Sequence, residues 1–135
     1  MIAWWVPYLG EVVTRHEHCW YWFARIQSEV FGLADLPSFS HMASDDSAAV
    51  SLLFLHHSER RRWRRLGADE RPIDGDAVYV QHGDEPLHIG VWAAAANGVV
   101  HAPPGELGVV LSTLYDLRLS GIQHLIFYRR RVGHQ

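Results

Sequence analysis

The sequence predicts an α+β domain in which N-terminal helices pack on a C-terminal antiparallel β-sheet. Two observations favour this class. Apolar residues recur at three- and four-residue spacing in the first half of the chain, and short extended patterns separated by turn residues follow Pro72. The length of 135 residues fits one hydrophobic core, so we expect residues 1–135 to form a single domain.

The first predicted helix begins at Cys19 and ends at Gly32. Its apolar face is formed by residues at helical spacing, namely Trp22, Phe23, Ile26 and Val30. Leu33 to Ser44 contains Pro37 and several serines, which predicts a loop.

A second helix is predicted from Ala48 to about Leu66, because Gly67 and Pro72 follow it. The run Arg60–Arg65, interrupted by Trp63, then falls in its last turn, where cations complement the C-terminal helix dipole. The alternative is that this run attracts an anionic polymer.

Extended patterns dominate the rest of the chain, with a short ordered piece around Leu111 to Leu117. The predicted strands are Ala77 to Val80, Ile89 to Ala93, Val99 to Ala102 and Ile122 to Tyr128. A two-residue turn at Asn97-Gly98 would place His101 opposite Ala94.

Composition excludes several classes of function. The net charge of -3 argues against general nucleic-acid binding. The longest apolar stretch, Ala48 to Leu55, is far shorter than the roughly 18 to 20 residues that span a bilayer. The N-terminus has no secretory signal pattern, so we expect synthesis in the cytoplasm without a signal peptide.

Cys19 is the single cysteine, which excludes an internal disulfide framework. At the first turn of an amphipathic helix, free backbone N–H groups and the helix dipole favour a thiolate, as a nucleophile requires. The alternative is a small buried hydrophobic residue. The ligand spacings match no closed tetrahedral pattern and adjacent histidines on a helix point to different faces, so we expect no metal site at His16, His18 and Cys19 or at His56-His57. We expect the surface or hydrogen-bonded polar histidines to be His56, His57, His82, His124 and His134.

Several short motifs occur in a recognisable order. They are Pro7-Tyr8-Leu9-Gly10, Cys19-Trp20, Gly75-Asp76, His88-Ile89-Gly90-Val91 and Val100-His101-Ala102. In order and spacing the chain resembles the NlpC-type cell-wall peptidases, a papain-like cysteine peptidase family, and most closely its phage-tail branch. The resemblance implies the papain-like NlpC-type fold over nearly the whole chain.

The resemblance also implies the roles of four residues. Cys19 would be the nucleophile, His88 the general base and acid, and His101 the group that orients the His88 imidazole. Tyr8 and the backbone N–H of Cys19 would stabilise the oxyanion. No metal or organic cofactor is implied.

The implied function is hydrolysis of peptidoglycan stem peptides by a cysteine endopeptidase or amidase. Phage-tail or secretion-system proteins would be the partners that deliver it to the cell wall. Two departures from the family pattern, His18 for the usual Asp and Tyr21 for a small residue, favour the alternative of a catalytically weak or inactive binding module of a tail or secretion apparatus. A lipid-directed acyltransferase is less favoured, because in such relatives the histidine motif usually precedes the cysteine.

Overall fold

The computed structural model describes residues 2–14, 17–37, 57–82, 85–103, 107–122 and 124–132, without the side chains of residues 82 and 85–88. Two α-helices are described, α1 at Cys19–Phe31 and α2 at Leu114–Leu119. The strands, in chain order β1 to β6, are Trp63–Arg65, Ala77–His82, Glu85–Ala93, Gly98–His101, Val110–Thr113 and His124–Arg130.

The six strands form one sheet in the order β1-β6-β2-β3-β4-β5, and every neighbouring pair is antiparallel. Helix α1 packs mainly on β3 and also contacts β4. The α+β class is therefore confirmed, although α1 is the one helix longer than two turns among the described residues.

Helix α1 forms where the apolar spacing predicts it. The C-terminal stop is Gly32, whose left-handed backbone (φ 75°) allows its N–H to bond to the Gln27 carbonyl. Side chains on the inner face, including Trp20, Phe23 and Ile26, are at most 1% exposed. They share one core with inward residues of the sheet, among them Tyr79, Ile89, Val91 and Val100.

The other face of the sheet carries a smaller apolar cluster, which contains Val78, Val80, Trp92, Val99 and Leu117. Leu117 belongs to α2, which begins with a reciprocal capping box between Thr113 and Asp116. The alternation along β2 thus assigns Tyr79 to the α1 side and its two neighbours to the α2 side.

The predicted second helix is wrong at its C-terminal end. Ser58–Arg62 forms a 3-10 turn and Trp63–Arg65 forms β1, which pairs with β6. Trp63 is 1% exposed and packs on Phe23, so this part of the chain gains more from joining the sheet than from continuing a helix. The predicted segment from Ala48 to residue 56 lies outside the described residues.

The connection from β3 to β4 is wider than the predicted two-residue turn. Ala94–Ala96 forms a 3-10 turn, and Asn97 adopts the left-handed conformation with φ 49°. Ala93 then pairs with Gly98, and Val91 pairs with Val100. The next step of this register places His101 opposite Gly90 and not opposite Ala94, where a two-residue turn would have put it.

Candidate functional site

Cys19 is the first residue of α1, as the sequence predicts. The preceding residue, His18, has extended backbone angles, and its carbonyl accepts the first helical bond from the Trp22 N–H. Within this described first turn, the His18 side chain provides no capping hydrogen bond. The Cys19 side chain is 1% exposed, so a substrate carbonyl can reach the sulfur only if neighbouring side chains move.

Tyr79 lies in the same core as Cys19 and was not among the residues that sequence reasoning selected. It is fully buried, and its hydroxyl has no hydrogen-bond partner in the part of the chain that the structure describes. Burial raises the pKa of Tyr79, and the charges of Tyr128 and Cys19 raise it further.

The backbone of β3 places the His88 Cα opposite Val80 of β2, one step along the strand from the Tyr79–Ile89 pair. Ile89 belongs to the same core cluster as Cys19, whereas Val80, the partner of His88, belongs to the cluster on the α2 face. The His88 side chain is outside the described atoms, and its contact with Cys19 stays a prediction.

His101 ends β4 and is 6% exposed. Its Nε2 atom lies 2.8 Å from the Ser112 hydroxyl oxygen on β5. Ser112 pairs with Val99, whose side chain belongs to the cluster on the α2 face, so this bond directs the Nε2 edge of the ring toward that face. Ser112 therefore holds the His101 imidazole in place, and no pattern in the sequence indicated this contact.

Gly90 allows β3 and β4 to come together beside His101. An ideal Cβ at Gly90 would lie 2.8 Å from the Val100 carbonyl oxygen and 2.9 Å from the His101 Cβ. Both distances are shorter than ordinary contacts, so any side chain here would push the strands apart. Steric crowding therefore explains why the His88-Ile89-Gly90-Val91 motif has a glycine at position 90.

Tyr8 is buried, but its hydroxyl is directed away from the role that the resemblance implies. It donates a 2.8 Å hydrogen bond to Glu29, and burial together with this bond raises the pKa of Tyr8 to about 12. Glu29 follows Cys19 by ten residues, which corresponds to about 15 Å along the helix. The structure therefore places this hydroxyl away from the position that an oxyanion donor needs.

Gly75-Asp76 fixes the start of β2 against α1. The Gln27 side-chain amide donates a 2.7 Å bond to the Gly75 carbonyl. Asp76 is buried and accepts two side-chain N–H bonds from Arg129 and one from the Ile73 backbone N–H. It directly precedes β2, the strand that carries Tyr79. This motif is structural, since it positions the helix and the strand rather than facing a substrate.

Among the side chains that the structure describes, the remaining histidines show no shared ligand geometry. His57 accepts the Glu59 N–H through Nδ1 and so caps the 3-10 turn, and His124 is exposed as predicted. No group of three His, Cys, Asp or Glu residues suited to a metal ion occurs among the residues with described positions. His16, His56 and His134 lie outside them, as does the side chain of His82.

A scan against models of known protein families and a search of curated protein sequences both give no match. No helix in the described ranges has both the length and the apolar character needed to cross a membrane.

Proposed function

We propose that this chain is a peptidoglycan stem-peptide hydrolase with the papain-like NlpC-type fold. The observation that carries the proposal is the position of Cys19 as the buried first residue of a helix that packs on β3 and β4, the two strands that contain His88 and His101. Cysteine acyl transfer needs a basic side chain within hydrogen-bond reach of the thiol, and we assign that position to His88.

In the proposed reaction the Cys19 thiolate attacks the amide carbonyl, and a tetrahedral oxyanion forms. The carbon–nitrogen bond then breaks, the leaving amine takes a proton from protonated His88, and a thioester remains. Water attacks the thioester after giving a proton to His88, which releases the carboxylate product and restores the thiolate–imidazolium pair. The backbone N–H of Cys19 is a donor for the oxyanion.

The test is release of soluble stem-peptide fragments from purified peptidoglycan. The wild-type protein and the His124→Ala variant, which changes an exposed histidine, should release fragments at similar rates. Cys19→Ala and His88→Ala should release none above background while keeping the wild-type circular dichroism spectrum. Equal release by Cys19→Ala and wild type would remove the proposal.

A second candidate function, a binding module of a phage tail or secretion apparatus with the same fold, is favoured by the 1% exposure of Cys19. Catalytic cysteines usually lie in partly exposed surroundings, whereas fully buried ones are inert. A folded wild-type protein that releases no fragments and binds tail or secretion components would support this function over hydrolysis.

A further inference from the structure

Arginines are concentrated at one edge of the sheet. Eight of the twelve arginines in the chain lie in two segments, 60–65 and 129–131. The segments are adjacent because edge strand β1 pairs with β6, Trp63 lying opposite Arg130 and the Arg131 N–H bonding to the Arg62 carbonyl. We call these eight residues the arginine edge: Arg60, Arg61, Arg62, Arg64, Arg65, Arg129, Arg130 and Arg131.

Carboxylates neutralise only part of the arginine edge. The carboxylates in ion pairs with it, within the described ranges, are Asp35, Glu59, Glu70 and Asp76. The Arg60 guanidinium lies over the Tyr128 ring, 4.1 Å from its centroid. Arg61, Arg65 and Arg131 are exposed and have no carboxylate partner among the residues that the structure describes. Four positive charges therefore remain on this edge of a chain whose net charge is -3.

A cavity of about 570 Å³ opens beside these unpaired charges. One wall is the segment after α1, from Gly32 to Asp35, and the other contains Arg61, Arg62, Arg130 and Arg131. Asp35 bonds to both Arg62 and Arg130, which holds these two side chains in place. The Arg131 Nε donates a 3.0 Å bond to the Arg61 carbonyl, and the charges of the Arg61 and Arg131 guanidinium groups face no carboxylate among the described residues, so they can bind an anionic ligand.

The arginine edge itself shows which anion it accommodates. Arg129 donates two N–H hydrogen bonds to the Asp76 carboxylate, and Arg64 binds the Glu70 carboxylate in the same bidentate geometry. Guanidinium groups match the two oxygens of a carboxylate in this geometry. Charged residues also protect edge strands from pairing with other chains, but Arg61 and Arg131 lie outside β1 and line a cavity instead.

We propose that the arginine edge binds the carboxylates of peptidoglycan stem peptides at a site distinct from Cys19. The cavity lies at the C-terminal end of α1, and the 13 residues of that helix separate it from Cys19 by about 20 Å. Such a site holds the polymer while the bond near Cys19 is cut. The proposal rests on the proposed function for the identity of the polymer.

The test is cosedimentation with insoluble peptidoglycan from which phosphate-containing polymers have been stripped. The parent protein is Cys19→Ala, which leaves the polymer intact. Adding Arg61→Glu and Arg131→Glu together should weaken its binding to peptidoglycan about tenfold or more, and added salt should weaken binding by the parent protein. The matched control is Arg118→Glu, an exposed arginine of α2, which should bind within about twofold of the parent.

Amidation of the polymer carboxylates should also abolish binding by the parent protein. Unchanged binding by the double variant, or undiminished binding to the amidated polymer, would overturn the proposal, and binding only before phosphate stripping would assign the site to phosphate. Cleavage of a short soluble stem peptide separates the two proposals. If wild type fails to cleave it, the hydrolase proposal fails, whereas loss of sedimentation alone concerns the arginine edge.

Discussion

Tyr79→Phe is expected to make the protein more stable, because it removes a single oxygen atom from a place where that atom has no partner. Tyr79 is fully buried, and its hydroxyl makes no hydrogen bond within the described residues. Burying an unpaired hydroxyl costs about 1 to 3 kcal/mol. The phenyl ring keeps the packing around it, so the free energy of unfolding should rise by about 1 to 2 kcal/mol.

Tyr8→Phe is the matched control, since it removes the same atom from a hydroxyl that has a partner. The Tyr8 hydroxyl donates to Glu29 at 2.8 Å, and the Glu29 side chain is 48% exposed. Loss of this bond should lower the free energy of unfolding by about 1 kcal/mol, which is below the usual range for bonds to charged groups, because water can reach Glu29.

Urea unfolding followed by circular dichroism measures both variants, and the dependence on urea should keep the wild-type slope. The reasoning is refuted if Tyr79→Phe is less stable than wild type, or if both tyrosine variants shift stability in the same direction. A Tyr79→Phe variant that is less stable than wild type would mean that the Tyr79 hydroxyl has an acceptor.

Gly90→Ala should lower the free energy of unfolding by about 2 kcal/mol, because the new Cβ would meet the Val100 carbonyl and the His101 Cβ. Gly67→Ala should leave the free energy of unfolding unchanged, because its Cβ would lie 3.6 Å from a Glu70 oxygen, an ordinary contact. Urea unfolding that finds the two alanine variants equally stable would contradict this steric argument. Hydrogen bonds from Arg64 and from the Gly67 N–H lower the pKa of Glu70 from 4.5 to about 2. The ionised carboxylate therefore stabilises the fold fully above pH 4.5, and this stabilisation is lost as the pH falls toward 2. The melting temperature of Glu70→Gln should accordingly lie below that of wild type at pH 6 and approach it near pH 2, and a gap that does not change with pH would count against the Arg64–Glu70 pair.

Local patterns predicted the elements whose stability is mostly local. Helix α1 has an apolar face and a C-terminal glycine, and strands β2, β3, β4 and β6 are apolar segments bounded by turn residues, so these elements were predicted. Strand β5 was predicted only as a short ordered piece, and the arginine-rich segment was predicted as a helix and not as β1. Arginine is a good helix former, but Trp63 pairs with Arg130, 67 positions later in the chain, and no local pattern shows that partner.

The same distinction holds at the candidate site. The position of Cys19 at the start of α1 follows from local spacing and was predicted. The Tyr8 hydroxyl finds its partner through a tertiary contact with α1. The partner of His101 depends on the register of β4, which follows the left-handed Asn97. In the sequence Tyr79 looks like any other apolar residue of a strand. Only the face of the sheet on which β2 places it brings it into the same core as Cys19.

The rate at which iodoacetamide alkylates Cys19, measured from pH 5 to 9 in wild type and His88→Ala, tests most directly whether the sulfur is activated by an imidazole. An ordinary thiol, with a pKa of about 8.5, is almost entirely protonated at pH 6. We predict fast alkylation of wild type at pH 6 and slow alkylation of His88→Ala at that pH. A Cys19 that reacts only above pH 8, or equally in both proteins, would contradict the account.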